Sequence, residues 1–160
     1  MANLTDIIER LIQANVDFVL VGGLAAVTHG SSMATQDIDI CCNFSTGNLL
    51  RLQSALADLH PVHRMTTNQV PLELDAENRT KLKNLYLETD MGQLDCLGEI
   101  LGIGSFEKVK QQSESIELDG QACRILRIDA LIVAKKAMGR PKDLETIKQL
   151  EVIQCEREQS

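Results

Sequence analysis

The chain has 160 residues, a single-domain length, and 44% of them are apolar, enough for a sizeable core. Aromatics are only 2%, so that core must be aliphatic, and little material remains for stacking bases along a single strand. The formal charge of −7 repels nucleic acid overall. No stretch approaches 18 consecutive apolar residues, so no membrane span is expected. The opening MANLTDIIER puts acids where a secretion signal wants bases, and the expected location is the cytoplasm. Charge is uneven. Over 124–142 six bases face one acid, Asp129, a window of +5 that leaves −12 elsewhere. A basic segment on an acidic body suits a local anion site better than a broad nucleic-acid face.

In chain order, Leu4, Ile7, Ile8, Leu11 and Ile12 have helical spacing, and the helix over 5–14 takes Thr5 or Asn3 as its cap. Residues 16–21 are β-rich and read as a short buried strand. Gly22-Gly23 leads into LAAVTH, a short apolar helix stopped at Gly30. Residues 37–42 read as a second strand, and 46–59 as a helix with Leu49, Leu52, Leu56 and Leu59 on one side. The stretch 60–83 is polar and irregular, with a strand expected near 71–74. Residues 85–88 and 93–97 are strands joined around Met91-Gly92. Asp119-Gly120 between 115–118 and 121–126 is a strong hairpin signal. Helices are expected over 129–138 and 142–154, the second opening at Pro141 with Asp143 and Glu145 in its first turn. The expected class is α/β or α+β: a mixed sheet flanked by helices, with C-terminal helices closing over one end. One domain covers 1–160, its core about 1–128 and its C-terminal helical part about 129–156. The five cysteines (Cys41, Cys42, Cys96, Cys123 and Cys155) include no CxxC pair. Cys41, Cys96 and Cys123 read as small buried hydrophobes in a reducing compartment.

The chemistry concentrates near residues 21–40. Two residues apart on a strand, Asp37 and Asp39 project to the same side, with Ile38 and Ile40 facing a core. At about 6–7 Å and an effective dielectric near 20, two such charges repel by about 2.5 kcal/mol. Solvation or a bridging cation relieves this, and Mg²⁺, or Mn²⁺ in its place, accepts one or two carboxylates with phosphates and waters. Gly22-Gly23 lets the backbone approach a ligand closely, and the helix that follows offers free N–H groups to an anion. Asp95 alternates with Leu94 and Cys96. An acid there is costly to bury unless paired or metal-bound, so it either completes a metal clamp or serves as base toward an acceptor hydroxyl. Glu99 reads as a strand-end surface acid, His60 and His63 as loop residues, and His29 as a helix C-terminal histidine.

Gly22-Gly23, thirteen intervening residues and Asp37-Ile38-Asp39-Ile40 resemble the nucleotidyltransferase superfamily signature, a glycine turn followed by two alternating acids. Asp95 falls where that family places a third acid. The tail LIVAKKAMGRPKDLETIKQL is similar to that of small bacterial nucleotidyltransferase-like proteins related to AbiEii toxins. The resemblance spans about 15–155. It implies a polymerase-β-like fold and a Mg²⁺-dependent transfer of a nucleoside monophosphate from an NTP to a hydroxyl of RNA, protein or a small molecule. It also implies a toxin–antitoxin partner. On this reading Gly22, Gly23 and Thr35 seat the nucleotide, Asp37, Asp39 and Asp95 hold metal and assist attack, and Lys135, Arg140 and Lys142 neutralise phosphate. This chain has Gly23 where many active members have serine. It has Met33 where small relatives often have arginine. The alternative is a nucleotide- or partner-binding module on the same fold without turnover.

Overall fold

The structure, a computed structural model, describes residues 4–75 and 82–159. Asn3, one of the two candidate caps, lies outside them. Helix α1 (Leu4–Gln13) buries the stripe Ile7, Ile8 and Leu11. It leads to β1 (Phe18–Val21), whose four residues are all buried, as a central strand's apolar run requires. Helix α2 (Gly22–His29) follows, then β2 (Ile38–Cys42) and α3 (Thr46–Leu56). The start of α3 is fixed by its Ser45 cap, and its face by buried Leu49, Leu52 and Leu56. After a short 3₁₀ turn (Ala57–Leu59) come β3 (Val62–His63), β4 (Asn84–Thr89) and β5 (Gly92–Leu97). A small hairpin of β6 (Glu99–Ile100) and β7 (Gly104–Ser105) precedes α4 (Phe106–Gln111). The hairpin β8 (Ser113–Leu118) and β9 (Gln121–Leu126) turns at Asp119-Gly120, both with positive φ. Helix α5 (Ile128–Met138), a 3₁₀ turn (Pro141–Asp143) and α6 (Leu144–Gln159) end the fold.

The main sheet has seven strands in the order β3-β4-β5-β2-β1-β9-β8. The pairs β1–β9 and β2–β5 are parallel, the others antiparallel. This is the mixed sheet with flanking helices that the element order predicts. The core is aliphatic, with Leu20, Ile38, Ile40, Leu87 and Leu94 among its most buried side chains. Each contributes on the order of 1.5–3 kcal/mol relative to exposure. Cys41, Cys42, Cys96 and Cys123 are free and buried, and Cys155 is free and exposed. Burial pushes the Cys41 thiol up to about 12, so it behaves as a hydrophobe. Among the described residues no helix is long and apolar enough to cross a membrane.

The structure departs from several expectations. Residues 71–74 form no strand: Pro71 makes an isolated bridge to Val62, and the short strand is Val62–His63. Proline lacks the N–H a ladder needs, whereas the His63 N–H reaches the Val70 carbonyl at 2.8 Å. The glycines do not precede α2; they form its first turn. Asp37 lies just outside β2. The final helix begins at Leu144, because Asp143 is spent on a tertiary contact described below. The β6–β7 hairpin and α4 carry too few residues for a periodic signal.

Candidate active site

One row of residues crosses four strands. Val21 of β1 stands in register with Asp39 of β2, Asp39 with Asp95 of β5, and Asp95 with Tyr86 of β4. In-register neighbours in a sheet share a face. All four line a cleft of about 730 Å³. Leu94 and Cys96 are fully buried on the opposite face from Asp95, as the alternation predicts. The chain leaves Val21 directly into Gly22, at the start of α2. No side chain caps that helix, so its first N–H groups remain available to an anion.

Gly22 has φ +71, and a Cβ there would overlap the carboxylate of Asp39. The glycine is therefore required by the acid behind it. A Cβ on Gly23 would lie 2.8 Å from Thr35 Oγ1. A serine at this position would have to displace Thr35. The Thr35 hydroxyl donates to the Asp37 carbonyl at 3.2 Å, pinning the approach to β2.

Burial pushes the Asp39 carboxyl up to about 6, and the neighbouring Asp95 and Asp37 carboxylates add to the rise. Lys135 and Arg140 act in the opposite direction. Both line the cleft. Lys135 is buried on α5, on the face it shares with Leu131 and Met138, and all three line the cleft as the helical spacing predicts. Asp143 organises the two cations. Its carboxylate pairs with Lys135 Nζ at 3.4 Å and Arg140 Nε at 2.7 Å. Burial raises that carboxyl, but the bond from Arg140 and the two positive charges outweigh it and hold it below the usual range. Asp143 is thus a buried anchor, where the sequence leaves helix capping equally open. Beside Asn84 and Glu99, much of the remaining lining is apolar, with Ile100, Leu101 and Ile103 of the β6–β7 hairpin and Leu131 and Met138 of α5.

Not every expected site residue gathers here. Gly23, Thr35 and Asp37 lie beside the cleft but do not line it, and Lys142 is exposed outside it. Lys136 is exposed and pairs with Glu151 at 3.5 Å. His29 is buried, with Nε2 2.8 Å from the Leu126 carbonyl. Glu99 is exposed, yet it lines the cleft. His60 is exposed and faces Asp90 at 2.6 Å, and this contact raises its pKa.

One residue of the candidate site escaped the sequence reading. Arg64 donates to both oxygens of Asp95, from Nη2 at 2.6 Å and Nε at 3.2 Å. It lies in a polar stretch with no period or motif, so nothing local signals it.

The donor set fits one divalent cation better than two. Burial first, and then the Asp95 and Asp37 carboxylates, raise the Asp39 carboxyl, and a bound cation would offset that repulsion. Asp95, however, is engaged by Arg64. Among the described residues no three His, Cys, Asp or Glu side chains are arranged to hold a metal ion. Asp37 and Asp39 remain, a set suited to Mg²⁺ completed by phosphates and waters.

Solved structures share this fold. The lincosamide antibiotic adenylyltransferase LnuA, in its lincomycin-bound form, matches with a TM-score of 0.64 at 16% identity, over 95% of this chain and 98% of that one. The fold is nucleotidyltransferase-like. TM1012 of Thermotoga maritima, described as a nucleotidyltransferase, matches with a TM-score of 0.59 at 17% identity, over 91% of this chain and 88% of that one. The antibiotic-resistance factor ANT(2'')-Ia matches with a TM-score of 0.57 at 18% identity, over 96% and 84%. At these identities the likeness is one of fold. No family model matches the sequence, and no curated protein does.

Proposed function

We propose that the chain is a Mg²⁺-dependent nucleotidyltransferase that moves a nucleoside monophosphate from an NTP to a hydroxyl. One observation carries this reading: Asp39 and Asp95 stand side by side, against the uncapped glycine start of α2 and facing Lys135 and Arg140. The triphosphate rests on the first turn of α2, where N–H groups and helix dipole favour anions. Lys135 and Arg140 neutralise its charge from the other wall, fixed by Asp143. Asp37 and Asp39 hold the metal, which when bound polarises the phosphates toward attack. Mn²⁺ is expected to substitute. Asp95 keeps a lone pair on each oxygen beyond those given to Arg64, and these accept the acceptor hydroxyl. The hydroxyl oxygen bonds to the α-phosphorus, the bond to the bridging oxygen of the β-phosphate breaks, and pyrophosphate leaves. The hydroxyl proton passes to Asp95.

Among RNA, protein and small-molecule acceptors, the apolar wall of Ile100, Leu101, Ile103 and Met138 favours a small molecule with an apolar body. Two structural neighbours point the same way for their own reactions, one bound to lincomycin and one in complex with adenylyl-2''-tobramycin. The toxin–antitoxin setting rests on the resemblance of the tail alone. A second reading, a nucleotide- or partner-binding module without turnover, is favoured by Met33, exposed at the position where small relatives often carry arginine. Calorimetry with each NTP tests the common ground. Binding is expected only with Mg²⁺ or Mn²⁺ present, and Asp39→Ala is expected to abolish it. Equal binding by wild type and variant would remove the site from consideration.

A further inference from the structure

Arg64 is held from three directions. Its guanidinium takes both oxygens of Asp95. Its backbone N–H donates to the Tyr86 carbonyl at 3.0 Å. Its Cζ lies 5.4 Å from the Tyr86 ring centre, within cation–π range. Tyr86 is itself the in-register neighbour of Asp95, so the strand that supports the arginine also sets its distance to the acid. The side chains of Arg64 and Asp95 are 25% and 16% exposed, so the pair is largely shielded from water. Asp37 and Asp39 also act on the guanidinium electrostatically.

In a two-metal site one ion clamps the attacking oxygen and the other the leaving oxygen of the phosphoryl group. Here the attacking-side carboxylate is already matched by a planar, permanently charged fork that fits it at two points. An ion seated on Asp95 would have to displace those bonds or stand beside a like charge. We infer that Arg64 stands in for a second divalent cation: it keeps Asp95 out of metal coordination, so the site takes one ion, on Asp37 and Asp39, together with the nucleotide. Arg64 is thus a positioning residue. It holds the carboxylate at fixed orientation toward the acceptor without touching the reacting atoms. The inference rests on the nucleotidyl-transfer reading above and deepens it.

The test counts ions. The full chain is saturated with the α,β-methylene analogue of ATP, and bound Mn²⁺ is measured by equilibrium dialysis and by electron paramagnetic resonance. Wild type is expected to hold about one Mn²⁺ per chain, and Arg64→Gln, which frees Asp95, about two. About two ions in wild type, with the spectral broadening of a coupled pair, would overturn the inference and leave nucleotidyl transfer standing. About one ion in both proteins would also overturn it, since Arg64 would then exclude nothing. No bound ion in wild type would remove the metal-dependent reading itself and the inference with it. If Arg64→Gln fails to fold, the wild-type count still decides: two ions there reject the inference.

Discussion

The carboxyl of Asp39 carries an energetic cost that ligand binding can recover. Its folded pKa is about 6 against an ordinary 3.8. Between those values the unfolded chain has lost the proton and the folded chain keeps it. Stability therefore falls as pH rises through this window and levels off above it. The shift corresponds to about 3 kcal/mol. In metal-free buffer, Asp39→Asn is predicted to raise stability by up to about 3 kcal/mol near pH 7 and by little near pH 4. Urea unfolding of both proteins across that range checks it; an equal difference at both ends would contradict the account. The same acid explains Gly22, since no side chain fits between the start of α2 and the Asp39 carboxylate. Residue by residue, much of the site was readable. Asp39 and Asp95 announce themselves as acids alternating with apolar residues, and Gly22 as a glycine ending a buried run. Arg64 did not, because its partner is 31 positions away and its neighbours have no pattern. Asp143 was equally opaque: an acid in a helix's first turn has the same local signature whether it caps the helix or anchors a buried pair.

Helices α5 and α6 meet at the Pro141–Asp143 turn, and Asp143 joins that turn to Lys135 of α5. Leaving a buried cation without its partner costs several kcal/mol, less here because Arg140 is partly exposed. Asp143→Ala is predicted to lower stability by about 2–3 kcal/mol. It should also weaken NTP binding, because Lys135 and Arg140 lose their common anchor. A urea midpoint unchanged from wild type would show that the turn holds without it. At this scale α1 and α3 were legible as apolar stripes and β4 and β5 as alternations, whereas α5, buried at Ile128, Ala130, Leu131, Ile132, Ala134 and Lys135, was legible from its length and apolar content. The β6–β7 hairpin was not, because its strands are two residues each. It nonetheless supplies an apolar wall of the cleft, so the acceptor side was the less legible half of the site.

The C-terminal helices α5 and α6 pack on each other and on α2, the helix that leaves β1 beside the acids. That packing predicts a single cooperative unfolding unit. The chain has no tryptophan and one tyrosine, and Tyr86 lines the cleft beside Asp95. Its emission therefore reports on the site while circular dichroism reports on the whole. The two unfolding curves are predicted to coincide in urea; a separate, earlier loss of the tyrosine signal would show that the cleft opens before the sheet. Within an acidic body, the two cations that line the cleft, Lys135 and Arg140, suit a small anion, held locally, better than a long polyanion.

The central claim is transfer of a nucleoside monophosphate at Asp37 and Asp39. It is tested most directly with α-phosphate-labelled NTP, Mg²⁺ and a lysate of the source cell, beside an Asp37→Ala/Asp39→Ala control. The account predicts label on an acceptor, with pyrophosphate released, in the wild-type reaction alone. Equal labelling in the control, or intact NTP binding with no label on any acceptor, would contradict it.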